Sequence, residues 1–184
     1  MSAAARKSPR ATLRPKPSKR KTRRAKREAS PARETFLIVG IGASAGGLEA
    51  FKVFLKHMPQ GTGMAFVLVQ HLDPNRASML VQLLGPHSHM PVTSAAHGTR
   101  VQPNTVYVIP PNADLTIANG VLKLAKPAAL RALRRPIDMF FASLAEDQGE
   151  RAVCVILSGA GSDGSEGLRA IKEHGGLSLA QADF

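Results

Sequence analysis

The chain has 184 residues, 43% of them hydrophobic, with 16 Gly, 13 Pro, no Trp and a single Tyr. That is one domain's worth of globular chain on a prior of about 100–200 residues per domain; it excludes a collagen, a coiled coil and a wholly disordered polymer, and it requires an aliphatic core. One cysteine, Cys154, excludes an intramolecular disulfide, and no apolar run reaches the roughly 18 residues of a membrane span, so the cytoplasm is the expected location. The net charge of +12 suggests nucleic-acid binding until it is divided by position. Residues 1–34 carry 13 Lys and Arg against Glu28 and Glu34, a net +11; the other 150 residues carry 12 basic against 11 acidic, a net +1.

The first segment, Met1 to Glu34, contains Pro9, Pro15, Pro17 and Pro31, the single large aliphatic Leu13, and a dense basic run from Lys19 to Arg27. It has too little apolar surface to offset its ordering entropy and is expected to be disordered. No apolar stretch follows the charges, which argues against a secretory signal, and no hydrophobic face recurs at helical spacing, which argues against a transit peptide. Two readings stay open: an electrostatic tether to nucleic acid or an anionic membrane, and a solvated extension.

From Phe36 the composition changes abruptly. Phe36 to Ile41 is a short apolar run ending in glycines and predicts a buried parallel strand. Gly46 to Met58 predicts a helix, with Leu48, Phe51, Val53, Phe54 and Leu55 on or near one face and Pro59 beyond its end. Met64 to Gln70 predicts a second strand, and Pro74 to Leu84 a second helix stopped by Gly85-Pro86. This alternation predicts a doubly wound, mainly parallel α/β sheet with right-handed crossovers. Thr105 to Ile109, then Leu115 to Ala118 and Val121 to Leu124 about Asn119-Gly120, predict strands closing in an antiparallel hairpin. Pro136 to Gln148 predicts a helix with Ile137, Phe140, Phe141 and Leu144 inward. Ala152 to Leu157 follows as the most hydrophobic strand, Ser165 to His174 as a helix closed by Gly175-Gly176, and Leu177 to Ala180 as the start of another strand.

In an open parallel sheet, sites lie beyond the carboxyl ends of the strands. Three such ends carry reactive side chains: Ser44 in Gly42-Ala43-Ser44-Ala45-Gly46, His71 in Gln70-His71-Leu72-Asp73, and Asp163 in Ser158-Gly159-Ala160-Gly161-Ser162-Asp163-Gly164. The first is a G-x-S-x-G between a strand and a helix, the context of a nucleophile elbow, where small neighbours permit a sharp turn. Backbone N–H groups at the helix start can then face a developing oxyanion. A serine needs a histidine to take its proton and a carboxylate to hold that histidine, roles open to His71 and Asp163.

Other readings of the same residues compete. Gly40, Gly42 and Ala45 also spell G-x-G-x-x-A of a dinucleotide fold, although His71 stands where a ribose-binding acid is expected and Asp73 falls late. Ser44 alone could be a turn residue, His71 a strand-end histidine bonded to backbone, and Asp163 an N-cap for the helix at Ser165. His57, His87, His89, His97 and His174 lie at helix ends or in connections without acids or cysteines to complete a metal site. Cys154 sits within a buried strand and is expected to act as a small hydrophobe. Arg131, Arg134 and Arg135 make a basic patch before Pro136, suited to solvent or to an acidic partner.

At Ile41 to Gly47, Gln70 to Pro74 and Ser158 to Gly164, and again at Val106-Tyr107-Val108-Ile109-Pro110-Pro111, the chain resembles the catalytic domain of the CheB chemotaxis methylesterases. The pattern is nearest to members fused to a CheR-type methyltransferase. The resemblance runs from about Phe36 to Phe184. It implies a serine hydrolase that removes methyl esters from glutamyl side chains of chemoreceptors, releases methanol and can deamidate glutamines. It also implies Ser44, His71 and Asp163 as catalytic residues, N–H groups near Ala45 and Ala160 at the oxyanion, and no metal or organic cofactor. Ala45 stands where typical members have threonine, and Ala160 where they have methionine. A receiver domain of that family would not fit in residues 1–34, so phosphorylation in cis is not expected. A closing segment is expected beyond Phe184, so the domain expected at 35–184 lacks its C-terminal end. The implied partners are a methylated receptor and a methyltransferase. Two alternatives from other classes remain: a catalytically inactive module that binds receptor or methyltransferase, and a nucleotide-binding protein.

Overall fold

In the computed structural model, the described residues are 1, 35–44, 47–71, 79–127, 134–157 and 162–182. The basic segment expected to be disordered, together with Ala45, Asp73, Arg131 and Ala160, lies outside them. Among the described residues, eight strands and four α-helices follow in chain order: β1 (Ile38–Ala43), α1 (Leu48–His57), β2 (Ala65–Gln70), α2 (Leu80–Leu84), β3 (Val92–Ser94), β4 (Val106–Val108), β5 (Asp114–Ala118), β6 (Val121–Ala125), α3 (Pro136–Gln148), β7 (Ala152–Ile156), α4 (Ser165–Glu173) and β8 (Leu177–Ala180).

Six strands form one sheet in the order β3-β4-β2-β1-β7-β8, with every pairing parallel. β1 and β2 are buried along their whole length, as a parallel sheet covered on both faces requires. Alternation of side chains sorts the core into two layers. Val39, Ile41, Ala43, Phe66 and Leu68 pack with Phe51 and Leu55 of α1 and Leu80 and Leu84 of α2. Ile38, Ala65, Val67, Val69 and Cys154 pack with Ile137, Phe140, Phe141 and Leu144 of α3 and Ile171 of α4. Each fully buried Phe or Leu in these layers contributes about 1.5–3 kcal/mol of transfer free energy. Helices on both faces make the sheet doubly wound.

The chain winds from β1 through β2 to β4 on one side, then returns so that β7 pairs with the other edge of β1. The winding therefore reverses between β1 and β7, where ligands of such sheets bind at the carboxyl ends.

Four sequence expectations need correction. The first strand begins at Ile38 and runs to Ala43, two residues later than its apolar run, because Phe36 and Leu37 precede the ladder. Gly40 and Gly42 thus lie inside β1 and face α3: a Cβ on Gly40 would stand 2.9 Å from Phe141 Cε1, and one on Gly42 2.5 Å from Ile137 Cγ2. The room these glycines leave is filled by a helix of the same chain, which removes the basis for reading them as a phosphate loop. Second, the strand around Tyr107 pairs parallel with β2 and with β3, an edge strand that the sequence did not reveal. The antiparallel hairpin is β5–β6 alone, turning at Asn119 and Gly120, both with positive φ. Third, of the second helix only Leu80–Leu84 is described, with Met79 at its N-cap rather than within it, and the expected 74–78 lies outside the described residues. Fourth, Val53 is exposed, since it lies about 200° around α1 from Phe51.

The hairpin is tied to α3 from two points. Asp147 accepts the backbone N–H groups of Asn119 and Gly120, and Ser143 Oγ accepts the N–H of Ile117 at 3.1 Å. α3 is thereby held between the sheet, the hairpin and α4. That fixed helix is what positions the site.

Candidate active site

Ser44 is the first residue past β1, and His71 the first past β2. The parallel register sets Ala43 beside Gln70, so the two residues leave the sheet next to each other at its carboxyl edge. Ser44 is half-buried, and its backbone is pinned twice: its carbonyl accepts the N–H of Gly47 at 2.9 Å and Nε2 of Gln70 at 2.9 Å. The first bond closes the turn into α1. The second ties that turn to the end of β2, the strand that carries His71. Gly47 must be small, because a Cβ there would overlap Ala43.

Asp163 lies on the segment between β7 and α4, at the other side of β1. Its Oδ2 accepts Nε2–H of His71 at 2.7 Å and the N–H of Ile137 at 3.1 Å, and its Oδ1 accepts the N–H of Asp138 at 2.9 Å. Asp163 does cap a helix, but it caps α3 rather than the α4 it precedes. Pro136 has no N–H to satisfy, and the next two donors of α3 are both taken by this one carboxylate. The Asp163 side chain is 10% exposed and that of His71 40%.

Burial opposes ionisation of Asp163. The His71 hydrogen bond, the N–H groups of Asp138 and Ile137 and the imidazolium charge outweigh it, and hold its carboxyl below the ordinary 3.8. An ionised Asp163 only accepts, so Nε2 of His71 carries the proton of the shared bond; in the neutral imidazole the lone pair is then on Nδ1.

Ser44, His71 and Asp163 therefore gather at one edge, while the competing residues lie elsewhere. The Nδ1 atoms of His57, His97 and His174 are within hydrogen-bond distance of the backbone carbonyls of Val53, Leu124 and Ala170. Among the described residues no group of three His, Cys, Asp or Glu could hold a metal ion. Burial pushes the Cys154 thiol up, which makes it an inert core group. Arg134 donates to Asn112 Oδ1 at 3.1 Å, and Arg135 to Asp138 Oδ2 at 3.4 Å. Ala45 and Ala160, expected at the oxyanion, lie outside the described residues.

Two supporting residues escaped the sequence reading. Gln70 is a buried polar side chain ending an otherwise apolar strand, a signal that was present in the sequence. Asp138 is an acid in the first turn of α3, indistinguishable in sequence from any residue placed there by the helix dipole.

Residues 39–183 match the family model for the CheB methylesterase domain. A protein-glutamate methylesterase/protein-glutamine glutaminase of Anaeromyxobacter dehalogenans is 35% identical over 159 residues, covering 86% of this chain and 47% of its own length. The protein-glutamate methylesterase FrzG of Myxococcus xanthus is 35% identical over 158 residues, 85% of this chain and 47% of its own. The chain thus spans about half the length of these curated relatives. The crystal structure of the Thermotoga maritima CheB methylesterase catalytic domain superposes with a TM-score of 0.70 at 30% identity, over 78% of each chain. Fold, topology and the sequence match over most of the chain agree: it belongs to the CheB methylesterase family.

Proposed function

We propose that this chain is a serine hydrolase acting on methyl esters of glutamyl side chains, and on glutamine side-chain amides, of a methylated chemoreceptor. Residues 35–184 are taken as its catalytic domain. The observation that carries the reading is the 2.7 Å bond from His71 to an ionised, α3-capping Asp163, at the sheet edge that Ser44 shares. The names of the relatives support the substrate class.

Nδ1 of His71 takes the hydroxyl proton as Ser44 Oγ bonds to the ester carbonyl carbon, and the resulting imidazolium is stabilised by Asp163. Collapse of the tetrahedral adduct breaks the bond to methoxide, which receives that proton and leaves as methanol. With a glutamine side chain the leaving group is ammonia. Water gives a proton to the same Nδ1 as its oxygen bonds to the acyl carbon; collapse of that adduct breaks the bond to Ser44 Oγ, which takes the proton back, and releases the carboxylate. Backbone N–H groups at Ala45 and Ala160 are assigned to the oxyanion. The net +11 of residues 1–34 supports a sequence-independent attraction to polyanions, and a methyltransferase is a further proposed partner.

The test is methanol release from methylated receptor. The chain is expected to release it, and Ser44→Ala to lower turnover at least about 10³-fold while still binding receptor. Equal turnover by Ser44→Ala would sink the mechanism; receptor binding by the unmodified chain with no methanol would leave a binding module.

A further inference from the structure

Asp138 is buried in the first turn of α3, and its carboxylate is directed to another helix. Oδ1 accepts the N–H of Gly164 at 2.9 Å and of Gly167 at 2.8 Å, and Oδ2 faces Arg135 Nη1 at 3.4 Å. Gly164 and Gly167 are the N-cap and third residue of α4, so Asp138 fills from outside the acceptor role of a capping box. Asp163 does the same in return, taking the N–H groups of Ile137 and Asp138. Residue 138 and the pair 163–164 are thus joined by two bonds running in opposite directions: the Asp138 carboxylate accepts the N–H of Gly164, and the Asp163 carboxylate accepts the N–H of Asp138.

We propose that Asp138 is a positioning residue for the Ser44, His71 and Asp163 site, holding the Asp163 carboxylate at the distance and angle at which it engages His71. The proposal rests on the hydrolase reading for its catalytic consequence. Gly164 has φ +104°, and its surroundings are filled by Ile156 and Ile137, so its N–H has little freedom except to aim at Asp138. Asp163 immediately precedes it in the chain. Fixing the 163–164 peptide therefore fixes the root of the side chain that orients the imidazole. Two carboxylates this near would repel, but each lies at the N-terminus of a helix, and His71 faces one and Arg135 the other. Removing the Asp138 carboxylate leaves two buried N–H groups of α4 without their acceptor and lets the Asp163 backbone move toward water.

The experiment is an NMR titration of the His71 ring in the full chain, paired with kcat and KM on a methyl ester, for the unmodified protein, Asp138→Ala, Asp138→Asn and Asp163→Ala. In Asp138→Ala the His71 midpoint is expected to fall toward that of Asp163→Ala, and kcat to drop about 10- to 100-fold with KM within about twofold. Asp138→Asn is expected to restore both, because its amide oxygen still accepts from Gly164 and Gly167. A lower Tm in Asp138→Ala with an unmoved His71 midpoint overturns the proposal, as does an Asn variant no better than Ala. If the unmodified chain hydrolyses no ester, the hydrolase reading fails while the His71 midpoints still decide the positioning role. If Asp138→Ala does not fold, amide exchange in the unmodified chain decides: protected Gly164 and Gly167 amides uphold the proposal, and exchange at exposed-loop rates overturns it.

Discussion

A single carboxylate, Asp163, caps α3 and, in the proposed mechanism, also orients His71. Because its native titration lies below the ordinary 3.8, the folded state binds fewer protons there than the unfolded chain does. A depressed value of this kind contributes stability that is complete above the unfolded value and is lost as pH falls through the lower native one. The stability advantage of the unmodified chain over Asp163→Asn should therefore be flat from neutrality down to about pH 5, then shrink below about pH 4. Urea unfolding at a series of pH values checks this, and an advantage that grows on acidification would contradict the assigned ionisation. Above that range the same variant should lose the proposed esterase activity, since an amide neither holds the imidazole in the required tautomer nor stabilises the imidazolium.

At the scale of elements, the decisive contact is α3 against β1. Gly40 and Gly42 let the helix approach the strand until Ile137 and Phe141 occupy the space of absent side chains. The helix start is then close enough for Asp163 to cap it from the segment after β7. Gly42→Ala should cost about 1–3 kcal/mol by overpacking, because the Cγ2 methyl of Ile137 is branched at Cβ and cannot swing away cheaply. Its displacement also moves the Ile137 N–H that Asp163 accepts, so activity should fall together with Tm. Gly61→Ala, where an added methyl meets nothing within 4 Å, should stay within about 0.5 kcal/mol of the unmodified chain. Thermal unfolding of the two variants side by side measures the difference; equal Tm values would mean that the close approach is not what the glycines are for.

Over the whole molecule, charge and chemistry are divided along the chain. Residues 1–34 hold +11 of the +12, whereas the proposed triad lies wholly within 35–184. Deleting residues 1–34 should abolish binding to a polyanion and leave turnover of a small soluble methyl ester unchanged. In the full chain the logarithm of that affinity should fall linearly with the logarithm of salt concentration. Fluorescence anisotropy with a labelled oligonucleotide, run beside the ester assay, reads both. Loss of activity with binding retained would transfer the contact to the basic residues near Arg134 and make the first segment part of the catalytic unit. No helix among the described residues is long and apolar enough to cross a membrane.

Much of this was legible in the sequence because it depends on local signals. The bounds of α3 and β8 follow from Pro136, Gly149 and Gly175-Gly176, and the inward face of α3 from its 3.6-residue period. Ser44, His71 and Asp163 could be singled out because a parallel sheet brings every carboxyl end to one edge, whatever the strand order. Other features depend on which strands become neighbours, and propensity does not encode that. Val92–Ser94 is three residues long and carries no period of its own; it is a strand only because β4 offers it a ladder. Tyr107 sits in a run that suits a hairpin equally well until pairing with β2 sets its direction. The exchange between Asp138 and Asp163 joins residues 25 apart, through backbone donors that every sequence possesses. It exists only because Gly42 and Gly167 let α3 settle against both β1 and α4, a closeness that packing decides and no local motif records.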